Sequence, residues 1–167
     1  ISEEAYYDVI KMKTAALFEA CCAMGAMSAE ASENDIEEAR MFGQRLGTIF
    51  QIRDDIFDYY DSAEIGKPTG NDMMEGKLTL PVMHVLMKTR DEAMLAIAQR
   101  VKSRSATPEE IARLVAFTKD NGGIEYAGKV MEDLHRQALG FIGSRVGDRE
   151  IRDALAAYLD FVIEREK

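Results

Sequence analysis

Hydrophobic positions along the chain recur at steps of three and four residues, the period of a helix packed on one face. In the first stretch Ile10, Thr14, Leu17, Cys21 and Met24 follow this rhythm, which predicts a helix over residues 3–28 with that stripe turned inward. Ser2 stands where an N-cap is needed, and Glu3 and Glu4 suit the positive end of the helix dipole. After the polar break Ser32-Glu33-Asn34, a second helix is predicted from residue 34 or 35 to residue 61. Residues 63–71 carry Gly66, Pro68 and Gly70 and read as a loop. A third helical stretch from residue 72 holds Gly76 and Pro81 early. Its first turn should be irregular, because proline donates no hydrogen bond to the ladder. Further helices are expected near residues 90–103, 108–120, 123–143 and 148–165. Thr107-Pro108-Glu109-Glu110 is a helix start, an N-cap followed by proline at the first position. No segment sustains the two-residue alternation of a strand, so the expected fold class is all-α, with no internal repeat.

The second helix carries a contrast of chemistry. At 100° per residue, Gly47, Gln51, Asp54, Asp55, Asp58 and Asp61 fall within one arc of about 120°. Phe42, Leu46, Ile49, Phe50, Ile52, Ile56, Phe57 and Tyr60 fill the opposite arc, with Arg53 among them, where it snorkels or meets a buried acid. Four carboxylates on one face repel one another, and a hard divalent cation is the natural compensation. Mg²⁺ takes oxygen ligands and usually binds one or two carboxylates plus substrate phosphates, so Asp54 and Asp58, one turn apart, suit a single phosphate-bound ion. Gly47 on the same arc leaves space for a ligand. By spacing alone, Asp-Asp-x-x-Asp reads more readily as a solvated acidic face than as a metal motif.

Two lysines follow at positions fixed by backbone punctuation. Lys67 lies between Gly66 and Pro68, and Lys77 follows Gly76 ahead of Leu78-Thr79-Leu80-Pro81. Lysine is a compact point charge suited to phosphate. A nucleotide-binding glycine loop is excluded. Five residues separate Gly70 from Gly76, Leu78 stands where serine or threonine belongs, and no strand precedes the segment. Lys13 and Thr14 sit at the edge of the first helix's apolar face. His84 and His135 have no ligand-like partner at helical spacing and read as structural; the ten methionines read as core filler.

Charge narrows the field. Lysine and arginine total 21 against 30 acids, a net charge of −9. A nucleic-acid binder carries the opposite sign, so an anionic ligand must be held by a few placed cations or by a metal. Cys21 and Cys22 are adjacent, rarely meet disulfide geometry and suit a reducing, cytoplasmic setting. No apolar run approaches the length of a membrane span, and no signal-peptide pattern opens the chain, which starts at Ile1.

Taken in order, Lys13-Thr14, Phe50-Gln51-x-x-Asp54-Asp55-x-x-Asp58, Gly66-Lys67-Pro68, Gly70-x-Asp72 and Glu75-Gly76-Lys77-x-Thr79-Leu80-Pro81 resemble the trans-prenyltransferases, the polyprenyl diphosphate synthases of the isoprenoid-synthase fold. The resemblance is dense over residues 10–86 and looser beyond, where Gly122-Gly123-Ile124-Glu125-Tyr126-Ala127 and the last helix look like the family's C-terminal helices. It implies an isoprenoid-synthase-type helical bundle and condensation of isopentenyl diphosphate with an allylic diphosphate. The allylic diphosphate is held by Mg²⁺, and the product is longer by five carbons with trans geometry. By the same resemblance Asp54, Asp55 and Asp58 are the metal-binding residues, Asp54 the direct ligand. Lys13, Thr14 and Lys67 hold the allylic diphosphate and Lys77 completes the cationic side. Gln51 hydrogen-bonds near the diphosphate and Phe50 faces the reacting carbons. The family forms homodimers, so self-association is expected.

The chain also departs from the family pattern. It has no second Asp-Asp-x-x-Asp cluster and no Arg-Arg pair, both of which the family carries upstream of the matching region. Residues 1–167 therefore read as the C-terminal half of one synthase domain, inactive by itself. The alternatives are a non-catalytic regulatory subunit of a heteromeric prenyl synthase, a terpene cyclase on the same fold, and a purely structural bundle. A regulatory subunit has less reason to keep acids and lysines together. A cyclase requires an Asn/Asp-rich motif that Asn71-Asp72-Met73-Met74-Glu75 does not supply.

Overall fold

A π turn early in the chain decides which side of the first helix is buried. The computed structural model describes residues 2–60 and 69–165. Among these, helices account for almost all regular structure: α1 (Glu3–Ile10), a π turn (Lys11–Ala15), α2 (Ala16–Ser28), α3 (Glu33–Phe57), α4 (Asn71–Met74), α5 (Leu80–Thr89), α6 (Glu92–Lys102), α7 (Pro108–Asp120), α8 (Gly123–Arg145) and α9 (Arg149–Glu164). The all-α expectation holds. The expected inward stripe holds only as far as the π turn. Ile10 is buried, but Leu17 and Met24 are 69% and 60% exposed, and Ala15 and Ala23 are buried in their place. The π turn takes up one extra residue, which rotates everything after it by about 100° relative to an unbroken α-helix.

The chain divides into two compact units, Ile1–Tyr6 with Asp54–Lys129, and Tyr7–Arg53 with Val130–Lys167. In the first unit the core is built from Met73, Leu80, Val82, Val85, Leu86, Ile97, Val101, Ile111 and Leu114. Local chemistry fixes the helix starts. Asp91 accepts from the Met94 amide at 2.9 Å to cap α6. Thr107 and Glu110 form a reciprocal capping box on α7, with Pro108 in the first turn. Arg100 then joins α6 to Glu110 at 2.6 Å. His84 lies flat on Tyr126 with ring centroids 3.6 Å apart, and the Tyr126 hydroxyl donates to Glu3 at 2.9 Å.

The second helix ends earlier than the sequence suggests, at Phe57 rather than residue 61. The amides of Tyr59 and Tyr60 turn back to the carbonyls of Ile56 and Phe57, and the Asp58 carbonyl accepts from the Gly70 amide at 2.8 Å. Both Asp58 carboxylate oxygens are used, Oδ1 by the Asn71 amide at 2.9 Å and Oδ2 by the Asp72 amide at 3.0 Å. Asp58 thus holds the start of α4. Partial burial outweighs these two bonds and raises its carboxyl pKa above the ordinary value of 3.8. Gly70 makes the turn possible at φ 83°, where a side chain would meet Ile111. The third helical stretch is two pieces: α4 ends before Gly76, at φ 82°, and α5 opens with Leu80-Pro81 after an extended Thr79.

In the second unit Phe42, Leu46, Ile49 and Ile52 of α3 are buried together with Ala15, Ala23, Met131, Ile142, Leu159 and Val162. Phe42 stacks on Phe141 with centroids 5.0 Å apart, and Asp35 pairs with Arg145 at 3.2 Å. Gly47 does not leave room for a ligand. A Cβ there would stand 2.6 Å from the Ala15 Cα, so the glycine lets α3 press against the π turn. Tyr60, placed on the apolar arc by the sequence, is 52% exposed, under the Lys119 ammonium at 4.7 Å. Arg53 meets a backbone carbonyl, donating from Nε at 3.0 Å and Nη2 at 2.8 Å to Arg165 O. No helix among the described residues is long and apolar enough to cross a membrane.

Two outcomes follow from this packing. Gly47→Ala should cost about 1–3 kcal/mol in urea unfolding, because the contact it crowds is backbone and cannot step aside; an unchanged midpoint would contradict the close approach. Asp58 has a higher pKa folded than unfolded, so the native state binds its proton more tightly. Its contribution to stability is therefore greatest below the unfolded pKa and is lost as pH rises through the folded value. Subtracting the Asp58→Asn unfolding curves from wild type between pH 3 and pH 7 should show that downward slope.

Candidate diphosphate and metal site

The last turn of α3 brings the motif acids into three different environments. Asp54 is partly exposed. Asp55 is 4% exposed, and its Oδ2 accepts from the Tyr6 hydroxyl at 2.7 Å. Asp58 is given over to the backbone of α4. The expected acidic face is thus one partly exposed carboxylate, one buried and one clamped. Hydrogen bonding is what lets the buried and clamped acids stay where they are, since an unsatisfied carboxylate is costly to bury. Tyr59, next in the chain, is fully buried beside the Thr79 hydroxyl at 3.5 Å, and burial drives its phenol far above the usual range.

The lysines divide as sharply. Lys77 bonds to Glu75 at 2.5 Å and to Asp72 at 3.1 Å, and these two carboxylates, Glu75 first, raise its pKa. It remains half exposed, so these are surface contacts that a stronger anion can replace. Lys67 lies outside the described residues.

Lys13 and Thr14 lie within the π turn, a feature frequent at functional sites. Lys13 is exposed. The Thr14 hydroxyl donates to Gln51 Oε1 at 2.7 Å, which turns the NH₂ end of the amide away from Thr14. This side-chain pair joins two residues that the motifs list separately, and Gln51 is buried. Phe50 packs against Phe18 with centroids 5.6 Å apart, and the Arg165 guanidinium lies over its ring at 3.9 Å. Arg165 also donates to the Phe50 carbonyl at 3.0 Å.

Sequence reasoning missed Tyr6 and Arg165. Tyr6 precedes Ile10 by four residues, so it extends the buried stripe by one step; that periodicity could have found it. Nothing in the sequence pairs Arg165 with Phe50 across 115 residues.

Among the described residues no group of three histidine, cysteine or acidic side chains could hold a metal ion. The donors present still fit one kind of ion. Asp54 offers hard carboxylate oxygens, while Tyr6 occupies one oxygen of Asp55 and the α4 amides occupy both of Asp58. That set is too small for a bare cation and suits one that completes its coordination with water and phosphate oxygens.

Comparison with known proteins gives the family. The polyprenyl synthetase family model matches residues 1–118. The geranylgeranyl diphosphate synthase of Sulfolobus acidocaldarius is 33% identical over 100% of this chain and 51% of its own length. Among solved structures, geranylgeranyl pyrophosphate synthase from Bacteroides thetaiotaomicron superposes with a TM-score of 0.91 at 50% identity, covering 99% of this chain and 53% of that one. A polyprenyl synthase from Caulobacter crescentus, solved with calcium and isoprenyl diphosphate, gives a TM-score of 0.86 at 28% identity, covering 100% of this chain and 51% of that one. The chain spans about half the length of the relatives it matches. On the extent of the family match and the identity to these relatives, the chain belongs to the polyprenyl synthetase family.

Proposed function

We propose that residues 1–167 are the C-terminal half of a polyprenyl diphosphate synthase domain, and that they hold the allylic diphosphate during Mg²⁺-dependent prenyl transfer. The observation that carries this reading is the state of Asp54. Of the three motif acids, Asp55 is buried and Asp58 accepts two backbone amides, while Asp54 is partly exposed. The Caulobacter relative, whose structure holds calcium and isoprenyl diphosphate, supports a divalent cation paired with a diphosphate.

In the transfer the bond between the allylic carbon and diphosphate oxygen breaks, and the electron pair leaves with the diphosphate. The double bond of isopentenyl diphosphate then attacks the allylic carbon, and a proton is lost from the adduct. Mg²⁺, when bound, supplies positive charge to the departing diphosphate. The chain's own residues bind and orient. Asp54 provides the carboxylate for the ion. Lys13, Lys67 and Lys77 provide cations for diphosphate oxygens, with Lys77 exchanging its Glu75 and Asp72 contacts for the stronger anion. Thr14 fixes the Gln51 amide so that its N–H groups serve as donors. Phe50, held by Phe18 and Arg165, offers an apolar wall to the hydrocarbon. A cytoplasmic setting suits the free thiols of Cys21 and Cys22, and homodimers are the expected assembly.

Calorimetric titration with farnesyl diphosphate, with and without Mg²⁺, tests the reading. Binding should strengthen at least tenfold with Mg²⁺, and Asp54→Ala should remove that gain while leaving the helical circular dichroism intact. Binding indifferent to Mg²⁺, or a gain that survives in the variant, would overturn the assignment.

A further inference from the structure

The hydroxyl of Tyr6 and the carboxylate of Asp55 meet across 49 residues of sequence at 2.7 Å, and both side chains are buried, 7% and 4% exposed. Breaking a bond between two buried side chains leaves a polar group unsatisfied away from water, which is costly. It also stands at a particular place. Asp55 is the neighbour of Asp54 on the last turn of α3, two residues before the helix ends at Phe57. Beyond that end the backbone turns, and Asp58 is itself held by the α4 amides. The final turn of α3, which also carries Asp54, is therefore held at two points, by Tyr6 acting on Asp55 and by α4 acting on Asp58 just beyond it.

We propose that Tyr6 is a positioning residue for the metal site. By holding Asp55 inward, it fixes the last turn of α3 so that Asp54, and not Asp55, is the carboxylate offered to a divalent cation. The inference rests on the functional reading above for its metal, but it concerns a residue outside every motif quoted for the family resemblance. It gives Asp55 a different role from the one the motif implies: Asp55 acts through its bond to Tyr6 and leaves the ion to its neighbour. A helix end frays unless something ties it down, and a ligand carried on a frayed turn must be ordered at each binding event. The Tyr6–Asp55 bond supplies that order in advance.

The test uses the whole 167-residue chain, with Tyr6→Phe and Asp55→Asn as the variants. Two readouts are needed. The first requires no metal: amide hydrogen exchange at residues 54–57 should quicken about tenfold in Tyr6→Phe, while exchange in α5 and α7 stays unchanged. The second is calorimetric: the Mg²⁺-dependent part of farnesyl diphosphate binding should weaken about tenfold in Tyr6→Phe, and binding without Mg²⁺ should not change. Asp55→Asn keeps an oxygen to accept from Tyr6, so it should retain most of the Mg²⁺-dependent binding that Asp54→Asn loses. Unchanged exchange at residues 54–57 would overturn the proposal. So would equal losses with and without Mg²⁺, which would mark Tyr6 as packing only, or an Asp55→Asn defect as deep as that of Asp54→Asn. A wild-type chain with no Mg²⁺-dependent binding would overturn the functional reading instead, and the exchange rates alone would then decide the role of Tyr6.

Discussion

A carboxylate cannot stay in a dehydrated place without donors, and the end of α3 is organised around that rule. Two of its acids are withdrawn from water, wholly or in part, and each has been supplied with hydrogen bonds. Asp55 has a tyrosine hydroxyl from α1, and Asp58 has two backbone amides from the start of α4. These bonds do structural work first. The Asp58 bonds stop the helix, turn the chain and start α4; the Tyr6 bond ties the helix end to the N-terminal helix. Asp54, on the same turn, is partly exposed. An acidic cluster that looks uniform in sequence thus holds acids in different environments, Asp55 buried under a tyrosine hydroxyl and Asp58 held by two amides.

The second unit follows a different rule, close approach. The π turn takes up one extra residue; beyond it Leu17 and Met24 are exposed, and within it Ala15 is buried and Thr14 bonds to Gln51. Gly47 lets α3 come against that turn where any side chain would intrude. The threonine–glutamine pair therefore depends on an irregularity in one helix and on the absence of a side chain in the other. A regular α-helix over residues 3–28 would have kept Leu17 and Met24 in the stripe instead of the small residues that permit the contact.

Much of this was legible in the sequence. Helical periodicity gave the fold class, and Thr107-Pro108-Glu109-Glu110 gave the start of α7, because those signals are local. The motif residues could also be picked out, because their types and order constrain the chemistry. What could not be read was anything set by tertiary contact. The burial of Asp55 depends on a tyrosine far away in the chain. The purpose of Gly47 depends on Ala15, and the partner of Arg53 is a carbonyl at residue 165. The π turn is the instructive failure. A helical wheel assumes constant pitch, and one extra residue per turn was enough to send the expected stripe to the surface.

A divalent cation with a diphosphate is proposed to assemble at Asp54. The direct measurement is paramagnetic broadening of backbone amide signals on adding Mn²⁺ with inorganic pyrophosphate. Signals of the last turn of α3 should broaden first, around Asp54, and Mn²⁺ alone at the same concentration should do far less. Broadening centred instead on the acids near the start of α3, Glu33 to Glu38, or equal broadening without pyrophosphate, would show ordinary attraction to an acidic surface and would contradict the claim.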